Sequence, residues 1–483
     1  MKKIAIYSLL VSSLFVTSCS DDYLDTKPQS TINEEQLATS PAGLQALLDG
    51  IYTGFRTFGN TNGGNHEDYG HKSILAGLDM MSNDNVMTKS SWYSSWYNYT
   101  GIIQTNSRSL LPWNTYYLQI KSTNTIINTI TKVGVNDQNK SVLGQAYALR
   151  ALSYFMLARI YGPTYVGHTS DLCVPIYTTV GFEGKSRSSV GEVYSLIESD
   201  LLKSVDLLTG YTRPNREKVD KSVAQGFLAQ VSLEMGKYSQ AAQNANAARQ
   251  GYALGTEADW RNGFYDLTKT TDAMWGAVIT GDNTSFVASF FAHFDNTNNS
   301  GYAGGLGIYK LIDKRLYDNI SATDYRKKAF VAPGGNPSYP ALPAYANLKF
   351  IDPTVTDGDY IYLRASEMYY IEAEALARSG NEPQAKAVLA QITQARDASY
   401  TTSTNTGAAL ITEITTQKRI EMWGEGCAWF DMKRLGVGLN RVYTGTNHPT
   451  FGQLTYPANS NKFLWQIPQA EIDTNPNIVQ NPN

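Results

Sequence analysis

One helix-pair pattern occurs twice in the chain and constrains the fold more than any other feature. Small residues and one glycine stand at the same offsets in both copies. The first copy has Ala229, Gly236, Tyr238, Ala241, Ala245 and Ala248, and the second has Ala373, Gly380 and Ala385, followed by Leu389 and Ile392. Small side chains let two antiparallel helices approach closely, and a glycine accepts the turn between them. The repeat predicts a scaffold of stacked helix pairs.

This spacing is that of a tetratricopeptide repeat, whose helices form scaffolds that present loops. Apolar periodicity predicts further helices along the chain. They are expected at 36–58, 102–130, 142–161, 190–208, 219–235, 361–378, 384–396 and 410–423. From 281 to 353, Gly, Asn, Ser and Pro are frequent and only short pieces such as 308–317 are expected to be regular. We predict a mainly α fold, with helical parts at 19–260 and 361–483 around a loop-rich insertion at 261–360.

Composition and charge exclude some function classes. The chain has 40 Lys and Arg against 43 Asp and Glu, a formal charge of −3. The chain has no excess of positive charge, which argues against nucleic acid as a ligand.

Aromatic residues make up 12% of the chain, and 32 Tyr outnumber 16 Phe two to one. That tyrosine excess requires an explanation.

The N-terminus predicts export. Lys2 and Lys3 precede an apolar run from Ile4 to Val16, which is too short to span a bilayer, and small residues then lead to Cys19. This looks like a bacterial lipoprotein signal over 1–18 with Cys19 as the acylated residue, and two acyl chains are enough for stable anchoring. The alternative is an ordinary secretory signal with an incidental cysteine.

Two cysteines remain after the signal, Cys173 and Cys427. They either pair after export or stay as buried thiols, and buried thiols are the default. The sequence leaves this open.

Catalytic and metal signatures fail when their spacing is checked. His66 and His71 are five residues apart rather than four, which takes the two imidazoles off a common helical face. Leu306 stands where a calcium loop that begins at Asp295 needs a glutamate. We therefore predict no catalytic residue, no metal site and no cofactor. A surface glycan hydrolase stays open as an alternative, because a pair of catalytic carboxylates has no sequence spacing of its own.

Two polar loops are rich in aromatic side chains. The first aromatic loop (84–99) and the second aromatic loop (286–302) place rings among Ser, Asn, Thr and Asp. Such rings can stack on the C–H faces of sugars or on peptide side chains, with nearby polar groups as hydrogen-bond partners. We predict these ligand contacts: Trp92, Trp96 and Tyr99 as stacking surfaces, Asp68, Asp84 and Asn85 as polar anchors, and Tyr302 from the opposite loop.

An alternative applies to part of the first aromatic loop. Trp92 and Trp96, like Tyr93 and Tyr97, are four residues apart. This spacing also suits a short helix that packs one aromatic face inward.

Ordered motifs along the chain resemble the SusD/RagB family. They are Ala148-Leu149-Arg150-Ala151-Leu152-Ser153-Tyr154-Phe155 with Tyr161-Gly162-Pro163; Leu363-Arg364-Ala365-Ser366-Glu367-Met368-Tyr369 with Glu372-Ala373-Glu374-Ala375; Arg419, Glu421 and Gly424-Glu425-Gly426; Trp429-Phe430-Asp431-Met432-Lys433-Arg434; and Trp465-Gln466-Ile467-Pro468, Glu471, Asn475-Pro476-Asn477 and Gln480-Asn481. The stretch Ser20-Asp21-Asp22 resembles the signal that sends Bacteroidetes lipoproteins to the outer face of the outer membrane.

The resemblance implies a helical, non-catalytic lipoprotein with about four tetratricopeptide-like helix pairs. Members bind oligosaccharides, or peptides in a minority branch, and form a lid over a SusC/RagA-type TonB-dependent transporter. The shared motif residues are expected to form scaffold ion pairs. They are Arg150, Arg364, Glu367, Glu374, Arg419, Glu421, Asp431 and Arg434. Ligand contacts are expected in the variable aromatic loops.

Overall fold

The computed structural model describes residues 40–59, 64–181, 183–282, 285–354 and 356–482. The predicted signal peptide and Cys19 lie outside them. The α-helices are α1 Pro41–Gly54, α2 His71–Met80, α3 Ser94–Tyr97, α4 Ser107–Val133, α5 Lys140–Tyr161, α6 Val190–Leu207, α7 Lys221–Glu234, α8 Tyr238–Ala248, α9 Glu257–Trp260, α10 Phe290–Phe294, α11 Lys314–Asp318, α12 Ala365–Arg378, α13 Glu382–Arg396, α14 Gly407–Glu421, α15 Ala428–Arg434 and α16 Gln469–Thr474.

Helix stacking forms the scaffold. Helices α4 to α8 pack in series, each on the next, and α8 packs on α12, which in turn contacts α13 and α14. The mainly α, tetratricopeptide-like prediction is confirmed. Within the described residues, no helix has the length and apolar character needed to cross a membrane. The predicted domain boundaries at 260 and 360 stay predictions.

The two predicted repeat copies turn in the same way. Gly236 and Gly380 have φ of 72° and 86°, which glycine adopts without steric cost. In each copy the amide after the glycine donates to a carbonyl five residues back, Lys237 to Ser232 at 2.8 Å and Asn381 to Leu376 at 2.9 Å. This is the hydrogen-bond pattern of a Schellman motif. The small residues of the repeat are buried, so the helices approach closely there.

In the described part of the chain, strands are few and short. They pair as three antiparallel ribbons: β1 Asn85–Met87 with β3 Lys310–Ile312, β2 Ala273–Ala277 with β4 Tyr360–Arg364, and β5 Leu439–Asn440 with β6 Thr455–Tyr456. The short strand and helix found within 308–317 agree with the expectation of short pieces there.

The predicted helix at 361–378 is wrong over its first residues. Tyr360–Arg364 is a strand, and the helix begins at Ala365. Aromatic and β-branched residues such as Tyr360 and Ile361 favour extended backbone when a partner strand is present. The partner, Ala273–Ala277, is far away in the sequence.

A buried ionic cluster joins the C-terminal helices to the loop-rich region. Glu421 is fully buried and accepts hydrogen bonds from three arginines. Its partners are Arg326 Nη1 at 3.1 Å, Arg364 Nη1 at 3.2 Å, Arg396 Nε at 3.0 Å and Arg396 Nη2 at 3.0 Å. Burial by itself would raise the pKa of Glu421, but the three guanidinium groups outweigh it and hold the pKa well below its usual range.

The other shared motif residues also form ion pairs, as expected. The pairs are Arg150 with Asp200, Glu367 with Lys418, Glu374 with Arg434, Asp431 with Arg434, and Arg419 with Asp84. Their side chains are buried or half-buried, so these residues belong to the scaffold.

Stability is expected to depend on pH through Glu425. Burial raises its pKa, but Arg364, with Nη2 at 2.7 Å, and Lys349, with Nζ at 2.5 Å, outweigh burial and lower the pKa to about 2. A carboxyl whose folded pKa lies below its unfolded value of about 4.3 stabilises the fold above that value, and this contribution is lost as the pH falls toward 2. The unfolding free energies of wild type and Glu425→Gln, measured by urea titration, should therefore differ most at pH 7 and approach each other steadily from about pH 5 down to about pH 2. A difference that does not change with pH would contradict this assignment.

Both described cysteines are free thiols. Cys173 is buried, and burial raises the pKa of its thiol to about 12. Burial also raises the pKa of Cys427 well above its ordinary value. The thiolate is the reactive form, so both thiols are expected to be inert at neutral pH. Of the two alternatives left open by the sequence, the structure has the unpaired thiols.

Candidate functional site

The fold brings the two aromatic loops together. Strand β1 follows the start of the first loop, and strand β3 follows the end of the second. Their antiparallel pairing sets Met87 opposite Lys310, so the chain that leaves β1 and the chain that enters β3 run side by side. Thr88 N–H extends this contact by donating to the Tyr309 carbonyl at 3.1 Å.

Three partly exposed rings meet where the loops converge, and we call His66, Trp92 and Tyr302 the aromatic arc. The His66 ring stacks on Trp92 with 4.9 Å between centroids, and Tyr302 meets Trp92 edge to face at 6.3 Å. His66 Nδ1 and the Tyr302 hydroxyl are 2.5 Å apart. Phe58 borders His66 at 6.4 Å, and the Arg108 guanidinium lies 5.8 Å from the Trp92 ring. The arc therefore combines aromatic faces with polar donors and acceptors.

A buried carboxylate positions the segment that carries Trp92. Glu67 accepts from Trp96 Nε1 at 2.8 Å, from Arg108 Nε at 3.0 Å and from Arg108 Nη2 at 3.2 Å. The backbone N–H of Tyr93 also donates to Glu67. Tyr93 has a φ of 70°, a left-handed conformation that is uncommon for a residue with a side chain and is often found at functional sites. The hydrogen bond from Tyr93 to Glu67 therefore fixes the backbone next to Trp92.

A buried ring in the second aromatic loop also supports the arc. His293 stacks on Tyr302 with centroids 4.8 Å apart and an interplanar angle of 8°. Its Nε2 lies 2.9 Å from the carbonyl oxygen of His66, so it ties the second loop to the first. Burial lowers the pKa of His293 to about 3, and the ring is therefore neutral. A neutral imidazole can donate to that carbonyl from Nε2.

The structure corrects the stacking role predicted for Trp96 and Tyr99. Trp96 is 0% exposed and Tyr99 is 4% exposed. The Trp96 ring packs 4.9 Å from Trp465 and against Gly77, where a Cβ would overlap it. The Tyr99 hydroxyl donates to the Met81 carbonyl at 2.6 Å. Both rings are part of the core and have no face to offer a ligand.

The predicted polar anchors are also internal. Asp68 and Asn85 are fully buried and Asp84 is 2% exposed. Asp84 forms a two-point ion pair with Arg419, in which Nε donates at 2.9 Å, and Asn85 Nδ2 donates to the Asp79 carbonyl at 3.2 Å. The side chains of Asp84 and Asn85 bind the protein itself, and the buried Asp68 has no exposed surface to offer a ligand. Of the seven predicted contacts, the structure leaves Trp92 and Tyr302 at the surface, and it brings these two together.

Three functional candidates were missed by sequence reasoning: His66, Glu67 and Arg108. In the sequence, His66 stood out only through its spacing to His71, which does not suit a metal motif. Arg108 lies beyond the first aromatic loop and reaches the arc from the start of α4. These three residues lie outside both aromatic loops, so the positions of Trp92 and Tyr302 in the sequence do not predict that they join the arc.

Two parts of the chain match known protein families. Residues 22–233 match a family described as starch-binding and associating with the outer membrane, and residues 319–483 match the SusD family. Together the two matches span most of the chain. The protein belongs to the SusD/RagB family of Bacteroidetes, an outer-membrane-associated family of binding proteins.

Full-length relatives and solved structures agree with this placement. SusD-like protein P2 of Formosa agariphila is 26% identical, covering 100% of this chain and 99% of its own, and SusD-like protein P38 of the same organism is 23% identical, covering 99% of both. The crystal structure of a SusD-like carbohydrate binding protein from Bacteroides vulgatus superposes with a TM-score of 0.80 and 25% identity, over 91% of this chain and 97% of that one.

Proposed function

We propose that this protein captures oligosaccharides at the cell surface through the aromatic arc. The observation that carries the proposal is the cluster of His66, Trp92 and Tyr302, whose partly exposed rings are fixed by buried groups beneath them. Aromatic faces suit the C–H faces of pyranose rings, and the imidazole and phenol supply hydrogen bonds to hydroxyls. The similar Bacteroides vulgatus protein is described as carbohydrate binding.

The captured glycan passes to a SusC-like, TonB-dependent transporter in the outer membrane. The family description, which associates these proteins with that membrane, supports this role. Acylation of Cys19 anchors the chain there, with the body of the protein outside the cell. The protein binds and delivers its ligand without cleaving it. No nucleic acid is involved.

Affinity electrophoresis of the purified protein tests the proposal. Gels that contain a soluble neutral polysaccharide, such as amylopectin, xyloglucan, galactomannan or laminarin, should retard the protein in at least one case, while serum albumin migrates unchanged. The same mixtures should release no new reducing ends over a day. Release of reducing ends would identify a hydrolase. Retention on immobilised peptides without retardation by any glycan would identify the peptide-binding alternative.

A further inference from the structure

A second aromatic cleft lies along α4, away from the aromatic arc. Its floor is formed by Trp113, Tyr117 and Tyr177, and its volume is about 650 Å³. This is within the range of about 300–1,000 Å³ that is typical of small-ligand sites. We call it the α4 cleft.

One stripe of α4 supplies most of the lining. Leu110, Trp113, Asn114, Tyr117, Leu118 and Lys121 follow the i, i+3, i+4 spacing of a single helical face. Such a stripe normally packs against a core, yet Leu118 is 49% exposed. Tyr117 is nine residues, or about two and a half turns, beyond Arg108 of the arc, so the two project from opposite sides of the helix. The α4 cleft is therefore a separate site.

The aromatic rings of the cleft are fixed by the protein. The Tyr117 hydroxyl donates to the Pro175 carbonyl at 2.9 Å, and the Tyr177 hydroxyl accepts from the backbone N–H of Lys185 at 3.0 Å. The two rings meet edge to face with centroids 5.8 Å apart. Rings held in one orientation lose little conformational entropy when a ligand stacks on them.

The backbone of Tyr177 is equally constrained. Its N–H donates to the Tyr154 hydroxyl at 2.7 Å, and its carbonyl accepts from Tyr154 at 2.9 Å and from Asn124 Nδ2 at 2.9 Å. Asn124 is itself held by Arg150, whose Nη1 donates to Asn124 Oδ1 at 2.8 Å. A partly exposed aromatic side chain thus stands on a rigid, internally bonded support.

The rim of the cleft is polar and balanced in charge. Asn114 and Thr474 bring neutral groups, while Lys121 and Glu471 bring one positive and one negative charge. A stable protein–protein interface buries about 800 Å² on each partner. A concave site lined by ten residues is too small for that. An aromatic floor with hydrogen-bonding groups around it suits a ligand with apolar ring faces and hydroxyl edges.

We propose that the α4 cleft is a second oligosaccharide-binding site, for neutral pyranose units. The sugar ring stacks on Tyr177 and Tyr117, and its hydroxyl groups meet Asn114, Lys121 and Glu471. This site is independent of the aromatic arc.

Saturation-transfer NMR with simple probes tests the α4 cleft. The probes are the methyl glycosides of glucose, galactose, mannose and xylose at millimolar concentration. The Trp92→Ala protein is used so that the arc is impaired. We expect saturation transfer from the Trp92→Ala protein to the ring C–H protons of at least one glycoside. Adding Tyr177→Ala should lower the transfer at least fivefold. Tyr177→Phe, which retains the ring and loses only the hydroxyl, should preserve most of it.

Two outcomes would overturn the second site. One is the absence of saturation transfer from the Trp92→Ala protein to any of the four glycosides. The other is equal transfer with and without Tyr177→Ala, provided that both proteins show the same melting temperature. If Tyr177→Ala lowers the melting temperature, Lys121→Ala, at an exposed rim position, replaces it in the comparison. Binding at the arc is reported separately by the protein with Trp92 intact and Tyr177 replaced.

Discussion

Replacing Glu421 by Gln is expected to destabilise the protein by about 3–5 kcal/mol, the usual cost of removing one partner from a buried ion pair. The Glu421 side chain is 0% exposed and forms ion pairs with three arginines. The glutamine amide can accept at one oxygen only, and its NH₂ group would point at guanidinium donors. The midpoint of urea unfolding should fall accordingly.

Arg396 is expected to carry most of this effect. Arg326 retains Asp324, and Arg364 retains Asp272 and Glu425, when Glu421 is lost. Arg396 also donates hydrogen bonds to three neutral groups: the Gly255 carbonyl at 2.6 Å, the Tyr325 hydroxyl at 2.7 Å and Ser366 Oγ at 3.1 Å. Without Glu421, no carboxylate of the described residues forms an ion pair with the buried Arg396 guanidinium, and Asp272 acts on it from further away.

A double-mutant cycle separates this effect from a general loss of packing. Glu421→Gln combined with Arg396→Met should be more stable than Glu421→Gln alone, because the unpaired charge is removed as well. Glu257→Gln is the matched control. Glu257 pairs with Lys328 at 2.9 Å on the surface, where such pairs contribute about 0–1 kcal/mol. Additive effects of the two replacements would show that the charge of Arg396 is not the cause.

Local patterns in the sequence were enough to predict the scaffold. The Ala and Gly positions around Gly236 and Gly380 determine the turn by themselves, because helix pairs form between neighbouring segments. The strand at Tyr360–Arg364 was missed because its partner lies far away in the sequence. In the same way, the motif residue Glu421 was expected to form an ion pair, whereas two of its arginine partners, Arg326 and Arg396, belong to no motif.

The candidate site was predicted only in part, and Trp92 and Trp96 show why. Both stand in polar surroundings four residues apart, so the sequence treats them alike. Trp96 is buried because Glu67, Gly77 and Trp465 contact it, and none of these three residues is close to it in the sequence. The alternative of a short helix with inward rings describes Tyr93, Trp96 and Tyr97 correctly, since α3 spans Ser94–Tyr97 and these rings are buried.

Trp92→Ala is therefore the change that tests the arc, whereas replacing Trp96 would disturb the core. We expect Trp92→Ala to weaken binding of the cognate oligosaccharide by about 2 kcal/mol or more, or roughly 30-fold, as for other aromatic residues that dominate a binding site. Isothermal titration calorimetry with the glycan that retards the wild type gives the dissociation constants. The melting temperature should change little, because Trp92 is partly exposed and its neighbours are held by Glu67.

Two matched variants make the Trp92 result specific. Trp92→Phe retains an aromatic face and should lose less affinity than Trp92→Ala, since the area available for stacking decreases without disappearing. Trp96→Phe should show the opposite behaviour, with a lower melting temperature and an affinity close to that of wild type once the protein is folded, because the Trp96 ring faces Trp465 and Gly77 rather than solvent. Unchanged binding by Trp92→Ala would remove the aromatic arc as the capture site. Unchanged binding together with loss of affinity in Tyr177→Ala would assign capture to the α4 cleft instead.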